Sequence, residues 1–235
     1  MAPRAVRAVH LRPSAELAER VLLPGDPHRA LFVAQALLER PIMFNHRRGL
    51  WGYTGAAPDG EPVTVQSTGM GGPSAAIVTE ELIALGARRL VRIGTCGALD
   101  SSLAMGELLA VEAALAADGT SCALGAEGRV AADPELTSAL AQAGARAVTV
   151  ASTDLFFELR AGTEEGWRGE GASAVEMEAA TVFQVAQLRG VRAACALAVT
   201  DVPGPADEVE RLDDDGLEAL GVKLGEVGLA ALEAA

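Results

Sequence analysis

At 235 residues and 50% hydrophobic composition, the chain can fill a sizeable core. Strand-like and helix-like segments alternate along it, which favours one α/β domain spanning residues 1–235. A net charge of −13 argues against nucleic acid and anionic membrane surfaces as partners.

No apolar run approaches the ~18 residues of a membrane-spanning helix. The basic N-terminus lacks the apolar stretch and small-residue cleavage site of a signal peptide. Cys96, Cys122 and Cys195 are odd in number and show no CxxC spacing, so a reducing, cytoplasmic setting is expected. His10, His28 and His46 lie far apart, and no metal site is expected from them.

In chain order, Arg20–Leu23 reads as a short strand ending at Pro24-Gly25. Asp26 offers an N-cap and Pro27 the first position of a helix predicted to run to about Arg40. Pro58-Asp59-Gly60 joins two strand-like runs, Trp51–Ala57 and Pro62–Ser67, in a hairpin. Gly69-Met70-Gly71-Gly72-Pro73 opens a helix that stops near Gly86. Leu90–Ile93 is a strand followed by a predicted tight turn, Gly94–Gly97. Strands are expected over Glu107–Ala114 and Ala147–Ala151, with a helix between them from Asp133-Pro134 to Gly144. Gly162–Gly171 reads as a mobile loop, and Ser173–Val175 as strand. The residues after it, Ala179, Ala180, Val182, Phe183, Val185 and Ala186, recur at helical spacing. Arg192–Val199 is an apolar strand, Asp213–Asp215 a solvated flank, and Leu217–Ala234 a final helix.

Four features could carry chemistry. Glu176 and Glu178 flank Met177 where strand gives way to helix, the corner at which open α/β folds bind ligands. A carboxylate there can accept two hydrogen bonds from adjacent sugar hydroxyls, or it can simply complement a helix dipole. The run Gly25-Asp26-Pro27-His28-Arg29 puts backbone amides and an arginine at a helix start, either an anion cradle or an ordinary turn. Arg92 sits on an otherwise apolar strand, where a buried guanidinium costs several kcal/mol unless an anion pairs with it. Thr95 follows with a hydroxyl and an amide, and Arg48 is either a third cation or a surface residue. Asp201, at the carboxyl end of the last strand, could be a proton donor or a turn residue before Pro203-Gly204-Pro205.

Other readings are weaker. Gly69-x-Gly71-Gly72 lacks the acidic residue of a dinucleotide loop about 20 positions on. Cys96 has no histidine placed to activate it, and no GxSxG motif is present.

Taken together, PGDPHRA (24–30), RRGLWGYTG (47–55), GMGGPS (69–74), RIGTCGAL (92–99), STDLFF (152–157), VEMEAA (175–180) and VTD (199–201) resemble the hexameric nucleoside phosphorylases. The resemblance is closest to the bacterial purine nucleoside phosphorylases and covers nearly the whole chain. It implies a single domain with a mixed, partly barrel-like sheet flanked by helices, and phosphorolysis of purine (2′-deoxy)ribonucleosides to free base and pentose 1-phosphate. No cofactor is implied, inorganic phosphate being a co-substrate.

Carried residue by residue, it assigns phosphate to Gly25, Arg29, Arg92 and Thr95, with Arg48 reaching in from a neighbouring subunit. Glu178 would hold the ribose 2′ and 3′ hydroxyls, with Glu176 and Met177 lining the sugar. His10 would contact the 5′ hydroxyl from the partner. The base would pack on Phe156, with Cys96, Gly97, Val175, Thr200 and Asp201 around it. Asp201 would protonate the leaving purine at N7, assisted by Arg211, although Pro203–Glu210 is shorter than the family pattern. A hexamer built as three dimers with shared sites is implied.

Uridine phosphorylases share the phosphate and ribose motifs but read the pyrimidine with a Gln-x-Arg pair after the aromatic. Here Phe157 is followed by Glu158-Leu159-Arg160-Ala161-Gly162, which favours purine. Hydrolytic nucleosidases lack the phosphate arginines, and His10 argues against the apolar 5′ pocket of a methylthioadenosine enzyme. A non-catalytic nucleoside-binding protein would have no need of both arginines and Asp201.

Overall fold

The computed structural model describes residues 6–158, 160–203 and 209–234. Among these, eleven strands form one sheet, and five of them close into a ring. The ring runs β5 (Arg89–Ala98), β9 (Ala174–Glu176), β8 (Arg146–Thr153), β6 (Leu108–Ala117), β10 (Arg192–Pro203) and back to β5. β5 makes closure possible because its length serves two neighbours on one edge. Its first half pairs with β1 (Arg20–Pro24) at Arg89–Ile93, and its end pairs with β9 at Gly97 and Ala98. From β1 the sheet continues through β4 (Pro62–Gln66), β3 (Gly52–Ala56) and β2 (Glu39–Asn45). β7 (Arg129–Ala131) and β11 (Val209–Arg211) are short additions to β6 and β10. The mixed, partly barrel-like sheet expected from the resemblance is present.

Helices cover both sides of the sheet, so β1 and much of β5 and β10 are buried apolar runs rather than alternating ones. On one side α1 (Pro27–Leu37), α4 (Pro134–Gln142) and α7 (Asp214–Ala234) supply Val33, Leu136, Leu140, Leu224 and Leu232 to the core. α7 lies unusually close because glycine faces its neighbours. A Cβ at Gly228 would stand 2.9 Å from both Ile93 and Leu22, and one at Gly225 would stand 2.8 Å from Val33. On the other side α2 (Gly72–Leu85) and α6 (Ala179–Arg189) bury Val78, Leu82, Val182 and Phe183. No helix among the described residues is long and apolar enough to cross a membrane.

The capping signals work as read. Asp26 accepts from the amides of His28 and Arg29, and Asp133 from that of Leu136. Three expectations need correction. Helix α1 ends at Leu37 rather than near Arg40, because Pro41 disfavours helical conformation at Arg40 and the chain turns into β2, which the sequence reading missed. Gly94–Gly97 is no tight turn, since β5 runs through it as extended strand. Glycine is needed at position 94 for space: a Cβ there would sit 2.7 Å from Nη2 of Arg92. Lastly, Gly162–Gly171 contains a helix, α5 (Thr163–Gly169), held by the buried Trp167 against Leu99, Leu115 and Ala172. The short α3 (Gly119–Ala123) is capped by Asp118, whose carboxylate also accepts from Thr181 on α6.

Candidate active site

The site is built where β5, β9 and the start of α6 meet. Arg92 projects from β5 with its side chain 4% exposed, and its guanidinium bridges two carboxylates. Nε donates to Glu176 Oε2 at 3.0 Å, and Nη2 lies 2.5 Å from Glu178 Oε2. Burial alone would pull the pKa of Arg92 down, but Glu178 and Glu176 outweigh it and hold the group firmly charged. Burial pushes the Glu178 carboxyl up, and Arg92 opposes that shift.

The two glutamates are spent differently. Glu176 accepts from Arg92, from the amides of Glu178 and Ala179 at 2.9 Å, and from the hydroxyl of Ser152 on β8. Its carboxylate therefore caps α6 and anchors Arg92, with no oxygen left over for a sugar. Glu178 accepts from the amide of Gly71 at 2.5 Å, in the loop that opens α2, and retains room for further donors. Met177 lies between them, half-buried.

Arg29, in the first turn of α1, completes the cluster. Its Nε is buried without a hydrogen-bond partner among the described residues. Burial pulls its pKa down, Asp26 pushes it back up, and Arg92 adds repulsion from the same side. Two neighbouring guanidiniums, one lacking a partner at Nε, make a place for an anion. Gly25 borders it, since a Cβ there would stand 4.0 Å from Arg92 Nη1. The amides of His28 and Arg29, expected as part of the cradle, are instead occupied by Asp26 at 3.1 Å each. Thr95 lies three residues along β5 from Arg92 and is half-buried.

A second group forms at the far end of β10. Asp201 stands opposite Arg211 in the β10–β11 register, and Arg211 Nε donates to Asp201 Oδ1 at 2.6 Å. Thr200 Oγ1 donates to Asp201 Oδ2 at 2.9 Å. The Arg211 guanidinium also lies over the ring of Phe156, 5.3 Å from its centroid, and that ring is 57% exposed. Gly97 borders both Val175 and Asp201: a Cβ there would be 3.4 Å from the first and 3.9 Å from the second. Cys96 is buried, its thiol directed at the Ala198 carbonyl, and burial pushes its pKa up, so it is a packed thiol rather than a nucleophile.

Two expected contributors stand apart from these groups. Arg48 is exposed, at φ 58° in the turn Arg47–Gly49, which is tied to α1 by the stacking of His28 on Trp51. His10 is held by Glu81, ten residues along α2 from Gly71 and so about 15 Å away along the helix axis. Most of Pro203–Glu210, the shortened segment, lies outside the described residues. Among those residues no group of three or more His, Cys, Asp or Glu side chains is placed to hold a metal ion.

The sequence reading missed Ser152 and Gly94. The hydroxyl of Ser152 also accepts from Ala180 N at 2.9 Å, which ties β8 to α6. For Gly94→Ala, the added methyl should displace the Arg92 fork and raise KM for an anionic co-substrate by about 10- to 100-fold. An unchanged KM would show that Arg92 does not touch that substrate.

The closed five-strand ring thus carries Arg92 and Arg29 beside a carboxylate pair, with an Asp–Arg couple at a strand end. Residues 19–232 match the phosphorylase superfamily, and the chain belongs to that family. It is 36% identical over 198 residues to a DeoD-type purine nucleoside phosphorylase of Geobacillus kaustophilus, covering 80% of this chain and 83% of the relative. Similar proteins of the same description occur in Clostridium beijerinckii (35% over 205 residues, 83% and 86%) and Caldanaerobacter subterraneus (36% over 207 residues, 83% and 88%).

Proposed function

We propose that this chain cleaves purine nucleosides by phosphorolysis, giving the free base and pentose 1-phosphate. The observation that carries this reading is the Nε of Arg29, buried without a hydrogen-bond partner among the described residues and close to Arg92, inside a chain of net charge −13. Phosphate bound there, with Gly25 and Thr95 at its edge, attacks C1′ of a ribosyl group whose diol is held by Glu178. Glu176 acts through Arg92 rather than on the sugar.

As the glycosidic bond breaks, positive charge develops on the ring and negative charge on the base. Asp201 supplies the proton to purine N7. The carboxylate left behind falls between Arg211 and Thr200, two donors already aimed at its oxygens. Phe156 is the stacking face for the base, and Cys96, Gly97, Val175 and Thr200 bound the pocket.

His10 and Arg48 are read as contributions to a neighbouring copy, which makes the working unit an assembly, a hexamer of three dimers with shared sites. No cofactor has a role in this chemistry. The three free cysteines suit a reducing cytoplasm.

Parallel assays with inosine, guanosine, adenosine and uridine, with and without phosphate, test the reading. Purine nucleosides should turn over only with phosphate present, releasing pentose 1-phosphate. Equal rates in phosphate-free buffer would mark a hydrolase, and preferential turnover of uridine would mark a pyrimidine enzyme.

A further inference from the structure

Glu81 is a buried charge that the chemistry above does not use. It sits on α2 with its side chain 5% exposed, and a carboxylate in that position is costly unless it is fully bonded. It is bonded to one short segment. The amide of His10 donates to both its oxygens, at 3.1 and 3.0 Å, and the amide of Leu11 donates to Oε2 at 2.8 Å. The His10 ring meets Oε1 through Nδ1 at 2.6 Å. Burial pushes the Glu81 carboxyl up, but the bonds from Leu11 and from the ring and amide of His10 outweigh it and hold it below the usual range. Glu81 is thus an ionised acceptor at neutral pH. The following residues are fixed as well: Arg12 N donates to Asn45 Oδ1 at 3.0 Å, and Ser14 N to the Phe44 carbonyl at 2.8 Å.

Backbone donors alone would be satisfied by any acceptor. The bond to the ring adds something specific. A carboxylate can only accept, so Nδ1 must carry a hydrogen, and Nε2 of the neutral ring is then left as an acceptor. The His10 side chain is 33% exposed, so it is not sealed into the core.

We propose that Glu81 is a positioning residue, fixing the orientation and tautomer of His10 so that Nε2 accepts from the 5′-hydroxyl of a nucleoside bound by a neighbouring copy. This rests on the nucleoside reading above and names the residue that makes its 5′ contact selective for a hydroxyl donor.

The test compares inosine with 5′-deoxyinosine as substrates of the intact enzyme, Glu81→Gln, His10→Ala and the double variant. Gln keeps the shape and one acceptor oxygen but loses the charge and the second oxygen. Wild type should prefer inosine by about tenfold or more in kcat/KM, the scale of one hydrogen bond. Glu81→Gln should lose most of that preference through inosine alone, with 5′-deoxyinosine unchanged within twofold. The double variant should discriminate no less than His10→Ala. An equal loss on both substrates, or additive losses in the double variant, would make Glu81 merely structural and overturn the proposal.

Nitrogen-15 NMR of the three histidines gives a readout that needs neither turnover nor the Glu81 variant. His10 should be protonated at Nδ1 alone in the wild-type protein, and a proton on Nε2, with or without one on Nδ1, would refute the proposal. A wild type inert toward every purine nucleoside would instead bring down the nucleoside reading. Normal turnover without 5′ discrimination would remove this inference and leave that reading standing.

Discussion

Asp201→Asn should lower kcat for inosine by roughly 10²–10⁴-fold, the range that a positioned general acid contributes. Asparagine keeps the size of the side chain and one acceptor for Arg211 or Thr200, but it has no carboxylic proton to give. A nucleoside of 7-methylated purine already carries positive charge on its imidazole ring and leaves without a proton. Its turnover should therefore stay near the wild-type rate. That contrast separates proton donation from binding, because both substrates need the same phosphate and ribose contacts. Equal losses on the two would mean that Asp201 serves only to hold Arg211 and the β10–β11 pair in place.

Arg92→Ala should remove catalysis and also cost stability. Removing the cation leaves Glu176 and Glu178 buried side by side without it, and breaking a buried pair in this way costs about 3–5 kcal/mol. At this chain length each kcal/mol moves Tm by roughly 2–4 °C, so denaturant and thermal unfolding will both register the change. Pairing Arg92→Ala with Glu178→Gln should recover part of the stability, since one of the stranded charges is gone, while activity stays lost. Recovery of activity in that double variant would contradict a phosphate-binding role for Arg92. An unaltered unfolding midpoint in the single variant would show that the glutamates reprotonate or find other partners.

Local signals in the sequence carried much of this structure, and distant pairings carried the rest. Asp26-Pro27 and Asp133-Pro134 announce helix starts because the physics of a cap is contained within four residues. The hairpin around Asp59-Gly60 and the carboxylate corner at Glu176–Glu178 are legible for the same reason. β2 was hidden because a helical apolar pattern runs into it and only Pro41 marks the break. The stretch Gly94–Gly97 imitates a turn in sequence, and its extended form is held by pairing with the distant strands β10 and β9. In the site, the need of Arg92 for an anion was readable from its apolar strand. Its partners lie 84 and 86 residues away, and no spacing rule could name them. Glu81 and Ser152 were invisible on the same ground, since each acts on residues that the chain brings near only when folded.

The closed ring has a consequence for tolerance. β9 is three residues long, yet it is paired on both edges, to Gly97 and Ala98 of β5 and to Val150–Ser152 of β8. In an open sheet so short a strand could slide along one neighbour. Here a slip must break two ladders at once. A shift by one residue would send Glu176 to the opposite face, and a shift by two would carry both glutamates about 6.6 Å along the strand. Either would separate them from Arg92. The circle of strands therefore works as a ruler: it converts hydrogen-bond register, which is discrete, into ångström-scale placement of charges that are distant in the chain.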